Sequence, residues 1–322
     1  MTNGLQVLKG GTGSWHTHLR GAPTLFPFLQ TYCGAVPQQP GDSTVFHPCA
    51  GNTIQSPSLP TSLDTSAMEF FSAAILYLDI LACASTGMPP QYPHICADAL
   101  SDGNSVIQLD QIIGCENWVM LIIRDIGVLD GWKKTRIAQN FPYIEELGIR
   151  ANAIERRLYD GIQRSISLLS QFGPSTASQE LLSGGVDFKN ANIHIVTDLY
   201  ALSTRVYLHV IIHGPDCGSL PLQERVAQSI AAFHNLPDPK LLRSLVWPFC
   251  ITGCMATSDE QQQFLTDICH SVTTNGGGVG TLKSALDVME KCWEMRKEEG
   301  IKSQGCDWLR AMERLGNKVL LV

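Results

Sequence analysis

Apolar residues recur at three- and four-residue spacing along most of this chain, and no stretch shows convincing alternation at every second position. The segment from 240 to 272 is the clearest case. Leu241, Leu245 and Phe249 stand four apart, as do Leu242, Val246, Cys250 and Cys254. Together they form a broad apolar face on a helix. Pro248 interrupts that face, and an interior proline loses a backbone hydrogen bond and clashes with the preceding turn, so a kink or restart is expected there. The element should stop near Thr257. Ser258 is then an N-cap, with Gln261 as the reciprocal half of a capping box and Asp259 and Glu260 in the first turn, where the helix dipole favours anions.

The same reading predicts further helices. Ser66 caps one that runs to about Ser85, apolar on nearly all sides and therefore central. Pro89, Pro90 and Pro93 force a loop after it. Leu109 to Trp132 gives one long or two short buried helices, followed by a polar stretch to Asn140. Pro142 to Phe172 is amphipathic, with Ile154, Leu158, Ile162, Ile166 and Leu169 on one side. After a polar break from Pro174 to Asp187 come Ala191 to His213 and Leu220 to Asn235. A glycine loop at 275–280 precedes Thr281 to Glu298, and Asp307 to Leu321 closes the chain. About ten helical segments with no strand signal make the fold class all-α. Residues 1–13 are glycine-rich and loose, and 14–322 form a single helical domain. A helix is expected from about Ser14 to Cys33, broken by Pro23 and Pro27. The proline-, serine- and threonine-rich stretch 34–66 reads as a long connection within the domain.

Several short pieces carry a resemblance. Trp247-Pro248-Phe249 followed by Ile251-Thr252-Gly253-Cys254 resembles a motif of the fungal-specific transcription factor domain, in the branch that includes acriflavine-sensitivity control proteins. Five other pieces fit in the same order. They are Trp15-His16-Thr17-His18-Leu19-Arg20-Gly21-Ala22, Tyr77-Leu78-Asp79-Ile80 with Pro89-Pro90, Gly114-Cys115-Glu116-Asn117-Trp118, Arg205-Val206-Tyr207-Leu208, and Asp307-Trp308. The likeness runs from about residue 14 to the C-terminus. It implies the helical regulatory fold found C-terminal to a six-cysteine zinc cluster, with part of the N-terminal helical region missing. It further implies a regulatory or effector role in fungal secondary metabolism, through a small metabolite, a protein partner or a second copy of the chain. The alternative is a cofactor-independent pathway enzyme of cyclase or isomerase type on the same scaffold, accelerating its reaction chiefly by orienting the substrate.

Charge narrows the partners. The 322 residues hold 23 Lys and Arg against 30 Asp and Glu, for a net charge of −7, and 44% are hydrophobic. Duplex DNA is bound largely by cations that neutralise its phosphates, and no run of four Lys or Arg exists, so direct DNA binding is not expected. None of the eleven cysteines sits in a Cys-x-x-Cys pair, and no zinc cluster can be assembled from their spacing. Buried thiols in a reduced compartment account for them. No apolar secretory segment opens the chain, and Phe70 to Ala84 is short for a membrane span, so the expectation is a soluble intracellular protein of nucleus or cytoplasm with no membrane partner.

Candidate chemistry is sparse. His16 and His18 point about 200° apart on a helix, which suits packing better than a shared site. His209 and His213 stand four apart, as zinc ligands do, but His-Val-Ile-Ile-His lacks the glutamate base and a third ligand. The glycines at 276–280 lack the Gly-Lys-Ser/Thr order of a phosphate loop, and no serine elbow or cysteine–histidine nucleophile stands out. No cofactor or metal is implied, and no catalytic residue can be named. Polar residues inside apolar helices are more informative: Asp79, Glu116, Asn117, Arg124, Arg205 and His209. A buried charge is costly unless it is paired or bonded. These residues, with His18, either tie helices together or line a ligand pocket.

Overall fold

The computed structural model describes residues 62–92, 97, 99–101, 105, 107–171, 186–274, 280–300 and 307–322. Every regular element among them is helical. In chain order these are α1 (Ser62–Thr86), α2 (Asp110–Ile113), α3 (Asn117–Ala138), α4 (Ile144–Gln171), α5 (Val186–His213), α6 (Leu220–His234), a 3₁₀ turn (Pro239–Ser244), α7 (Val246–Cys254), α8 (Asp259–Thr274), α9 (Gly280–Glu299) and α10 (Trp308–Leu315). The all-α expectation holds. Helix α5 is the hub, packed against α3, α4, α6 and α7, while α9 joins α7 to α8 and α10. One contiguous hydrophobic cluster runs from Ala73 on α1 to Leu321 near the C-terminus.

At the centre, the Trp247 ring is stacked 6.0 Å from Tyr200 and meets Tyr207 edge-on at 5.6 Å. Tyr207 in turn lies 5.8 Å from Trp308. Four aromatic side chains from α5, α7 and α10 thus form one packed column, all fully buried. Offset and edge-to-face rings add specific geometry to the large apolar area they remove from water.

Pro248 does not kink a long helix. The chain breaks earlier, at Leu245 (φ −118°, ψ 22°), where the 3₁₀ turn ends and α7 begins at Val246. Proline then falls in the first turn of α7, where its missing N–H has no intrahelical partner to lose. The expected restart is therefore placed just before the proline. All nine residues of α7 are buried, so its end must be satisfied by other helices. Trp293 Nε1 donates to Gly253 O at 2.8 Å, Arg296 Nη1 donates to Ala256 O at 2.8 Å, and Arg296 Nη2 donates to Cys254 O. A buried guanidinium at a helix C-terminus also meets the negative end of the dipole. Gly253 lets α9 come this close, because a Cβ there would run into the Met289 side chain.

The capping box of α8 is formed. Ser258 Oγ accepts from Gln261 N at 3.2 Å, and Gln261 Oε1 accepts from Ser258 N at 3.5 Å. Other boundaries differ from the sequence reading. Helix α1 starts at Ser62, so Ser66 lies inside it and is not its cap. Helix α3 runs through the polar stretch to Ala138, and α5 begins at Val186, inside the expected break. Helix α10 ends at Leu315, because Gly316 adopts φ 70° and Asn317 N donates to Met312 O at 3.1 Å, a Schellman closure. The remaining Val319, Leu320 and Leu321 are buried as an extended tail rather than a helix. The segment 14–33, most of the 34–66 connection and the glycines at 276–278 lie outside the described residues.

Two helices are long and apolar enough to cross a membrane by length and composition, within Glu69–Thr86 and Ala191–His213, and 56% and 72% of those windows are buried in the fold. Helix α5 is met by α3, α4, α6 and α7, and α1 by α3, with Phe70 and Phe71 of α1 left exposed.

The column gives a direct expectation. Trp247→Ala should lower unfolding free energy by roughly 3–5 kcal/mol, the usual cost of emptying a large aromatic site. Trp247→Phe should cost much less, since the buried Trp247 Nε1 has no hydrogen-bond partner to lose. Urea unfolding of both variants checks the order.

Candidate functional site

The polar residues singled out in the sequence do not converge on one place. His18 lies outside the described residues. The other six fall into four settings.

Asp79 is buried on α1 and holds the loop that the prolines start. Its two carboxylate oxygens accept from Gln91 N at 3.0 Å and Tyr92 N at 3.1 Å. Burial pushes its carboxyl above the usual range, and the two amide bonds pull it back.

Asn117, at the start of α3, is fully engaged with backbone. Its Oδ1 accepts from Leu109 N at 2.9 Å, and its Nδ2 donates to Ile107 O at 2.7 Å and Leu100 O at 3.4 Å. A buried amide that bonds three main-chain groups fixes the α2–α3 corner. Glu116 precedes it. Its Oε2 accepts from Trp118 Nε1 at 2.7 Å, its Oε1 lies 3.5 Å from His194 Nδ1, and its backbone N donates to Thr197 Oγ1 at 3.1 Å. Trp118 in turn lies flat on Gly161 of α4, where a Cβ would collide with the ring. Nearby, burial raises the Asp198 carboxyl; His194 opposes that shift and Glu116 adds to it. The Tyr77 and Tyr200 hydroxyls sit 3.3 Å apart, and burial pushes Tyr77 up to about 12.

Arg124 is paired with its neighbour Asp125, which also binds Arg157 of α4. This pair joins α3 to α4.

Arg205 and His209 are one turn apart on α5 and share a cluster with α4 and α6. Arg205 Nη1 donates to Gln228 Oε1 at 2.7 Å. Arg225 Nη2 donates to Glu155 Oε1 at 2.8 Å, and Arg225 Nη1 reaches Arg205 O at 3.4 Å. The His209 and His213 rings lie 4.7 Å apart. Desolvation, then His213 and Arg225, lower His209 to about 4; Glu155 and Asp216 act in the opposite sense.

Three of these settings, those of Asp79, Glu116 with Asn117, and Arg124, are ties between helices and loops. The Arg205–His209 cluster is different, because cations outnumber the carboxylates bonded to them. No group of three or more His, Cys, Asp or Glu among the described residues is placed to hold a metal ion. Cys250 and Cys254, on one face of α7, have their sulfurs 3.9 Å apart in the core.

An exposed feature was not anticipated. At the α3–α4 turn, Ile137, Phe141, Ile144 and Ile149 line an open cleft of about 790 Å³, with Ile144 77% and Ile149 65% exposed. Its rim is held by charge. Arg136 and Arg150 lie over the Trp132 ring at 5.7 and 4.5 Å, and both approach Glu146, at 3.7 and 2.6 Å. The exposed Ile144 and Ile149 fall on the outer side of an otherwise amphipathic helix, which was the available signal. A second open cleft, about 500 Å³, lies between α9 and the C-terminal tail beside Asp287, Glu290 and Leu315.

Residues 1–322, the whole chain, match the family model of the fungal specific transcription factor domain. The chain belongs to that family. Among its relatives, the trichothecene biosynthesis transcription regulator TRI10 of Fusarium sporotrichioides is 28% identical over 313 residues, 96% of this chain and 68% of the relative. The corresponding TRI10 of Trichoderma arundinaceum is 30% identical over 88% of this chain and 63% of the relative. Transcription factor dibT of Pestalotiopsis microspora is 28% identical over 99% of this chain and 52% of the relative. The chain thus spans between about half and two thirds of the length of these curated relatives. No solved structure matches it. For this fungal transcription factor domain, the family resemblance read from the short motifs is upheld. The enzyme alternative gains no support from these relatives.

The buried imidazole sets a pH dependence. A histidine held at about 4 when folded, against 6.5 when free, keeps its stabilising neutral form above pH 6.5. Stability should therefore fall as pH drops from 6.5 towards 4. His209→Gln should flatten that part of the profile in chemical denaturation measured from pH 7 to 4. An unchanged slope would show that His209 does not carry it.

Proposed function

We propose that this chain is the regulatory domain of a fungal secondary-metabolite gene-cluster regulator, and that it acts by associating with a protein partner rather than by touching DNA itself. The family match over residues 1–322 carries the reading. Relatives named as regulators of trichothecene biosynthesis support its direction. The net charge of −7 and the absence of a basic run in these residues favour protein over duplex DNA as the thing contacted.

The α3–α4 cleft is where such a partner would dock. It is apolar, open and rigidly rimmed, and a contiguous exposed apolar surface of this kind is a common mark of protein contact. Arg136 and Arg150 share the Glu146 carboxylate at its rim, and a partner gains chiefly by covering Phe141, Ile144 and Ile149. Asp79, Asn117 and Glu116 serve in this reading as internal fastenings. A metabolite-binding role would rest instead on the cluster around Arg205.

Deletion of the gene, followed by paired transcript and metabolite profiling, tests the proposal. The expected result is a coordinated change in transcripts of one biosynthetic gene set. Unchanged transcripts together with accumulation of a single intermediate would overturn it in favour of an enzyme. Ile144→Asp with Ile149→Asp should reproduce the transcript change while leaving the thermal unfolding midpoint within a few degrees, because both side chains are already exposed.

A further inference from the structure

The cluster where α4, α5 and α6 meet has an imbalance that the fold alone does not explain. Arg205 and Arg225 lie side by side, and Arg225 reaches the main-chain oxygen of Arg205. One carboxylate, Glu155, is bonded to this pair, through Arg225. Arg205 is bonded to a neutral amide, Gln228, through one nitrogen. Its remaining N–H groups have no bond to a described residue. Asp216, on the α5–α6 connection, acts on His209 electrostatically.

Two part-buried arginines are therefore served by one bonded carboxylate, Glu155. Desolvation and then repulsion from Arg225 make Arg205 harder to keep charged, while Glu155 acts in the opposite sense. Two imidazoles continue the row: His209 one turn further along α5, and His213 one turn beyond that. Burial, then His213 and Arg225, keep His209 neutral.

We propose that this cluster is a binding site for a small oxyanion, a ligand bearing phosphoryl or carboxylate oxygens, held by Arg205 and Arg225 with His209 and His213 beside them. The guanidinium fork of Arg205 matches either group, since planar pairs of N–H donors fit two oxygens at once. An anion there removes the repulsion between the arginines and gives His209 a reason to take up a proton. Glu155 holds Arg225 in place, and Gln228 holds Arg205, so the donors are set before the ligand arrives. Half of the cluster faces solvent: His213 and Gln228 are exposed, and Arg205, Arg225 and Glu155 are part-exposed, which leaves a way in. This site is independent of the transcriptional role proposed above.

Inorganic phosphate and citrate are the probes, added to the full chain at matched ionic strength with chloride as the reference. Titration calorimetry should show saturable binding of at least one of them, with affinity rising as pH falls from 7.5 to 6 because a proton is taken up on binding. Phosphate alone points to a phosphoryl ligand and citrate alone to a carboxylate. Arg205→Gln should weaken binding at least tenfold, whereas Lys291→Gln, on the far α9, should leave it unchanged. If Arg205→Gln lowers stability, the histidine signals of the unaltered chain decide. The His209 and His213 ring protons should shift on titration, with His209 titrating well above 4. Binding no stronger than that of chloride, an unaffected Arg205→Gln variant, or unmoved histidine signals would each overturn the proposal.

Discussion

Trp247 governs this structure. Its ring is pressed against Tyr200 on one face and meets Tyr207 at its edge, so the wholly buried α7 is locked against α5. Through Tyr207 the same contact reaches Trp308 and fixes α10. A nine-residue helix is too short to persist on its own in water. It exists because burial of this column and of Phe249 against Phe233 outweighs the entropy of ordering it. The indole N–H has no partner, so the contribution of Trp247 is one of shape and apolar area, not of hydrogen bonding.

Burying α7 completely creates a second requirement. Carbonyls at its end cannot reach water, and each would be costly if left bare. Trp293 and Arg296 of α9 answer two of them, Gly253 O and Cys254 O, and Arg296 also bonds Ala256 O just beyond the helix. This is why a charged side chain sits 5% exposed in the middle of the core. The approach depends on Gly253, and Gly161 plays the same part for Trp118. Glycine and tryptophan thus work as pairs here: the missing Cβ makes room for the ring or for the helix that carries one.

Much of this was legible in the sequence, and the failures have physical causes. The helical period gave the class, the number of segments was close, and Ser258 with Gln261 marked the start of α8 because a capping box is a local device. Boundaries failed where tertiary contacts decide them. Ser66 looked like a cap, but α1 continues back to Ser62, and the polar run after Trp132 stays helical because α3 lies along α4. The C-terminal helix was read six residues too long at its end, because the apolar Val319, Leu320 and Leu321 lie beyond Leu315; Gly316 in a left-handed conformation ends it, and the tail is buried without being helical. The prolines at 89 and 90 marked the loop but not what fastens it, since Asp79 lies ten or more residues away in the chain. The polar residues of apolar helices were expected either to tie helices together or to line a pocket. Their division into separate fastenings could not be read without the helix packing.

That division bears on where specificity can reside. Six of the motif residues that carry the family likeness, Trp247, Tyr207, Gly253, Asn117, Asp79 and Trp308, lie in the packed interior or in its corners. They build the scaffold, and substituting any of them would alter the fold before it altered a choice of ligand or partner. Residues at the α3–α4 cleft and at the edge of the α5–α6 cluster are under no such constraint: Ile144, Ile149 and Gln228 are exposed, and their replacement leaves the column intact. Apolar burial is concentrated around the aromatic column, so substitutions at exposed positions change the surface without emptying the core.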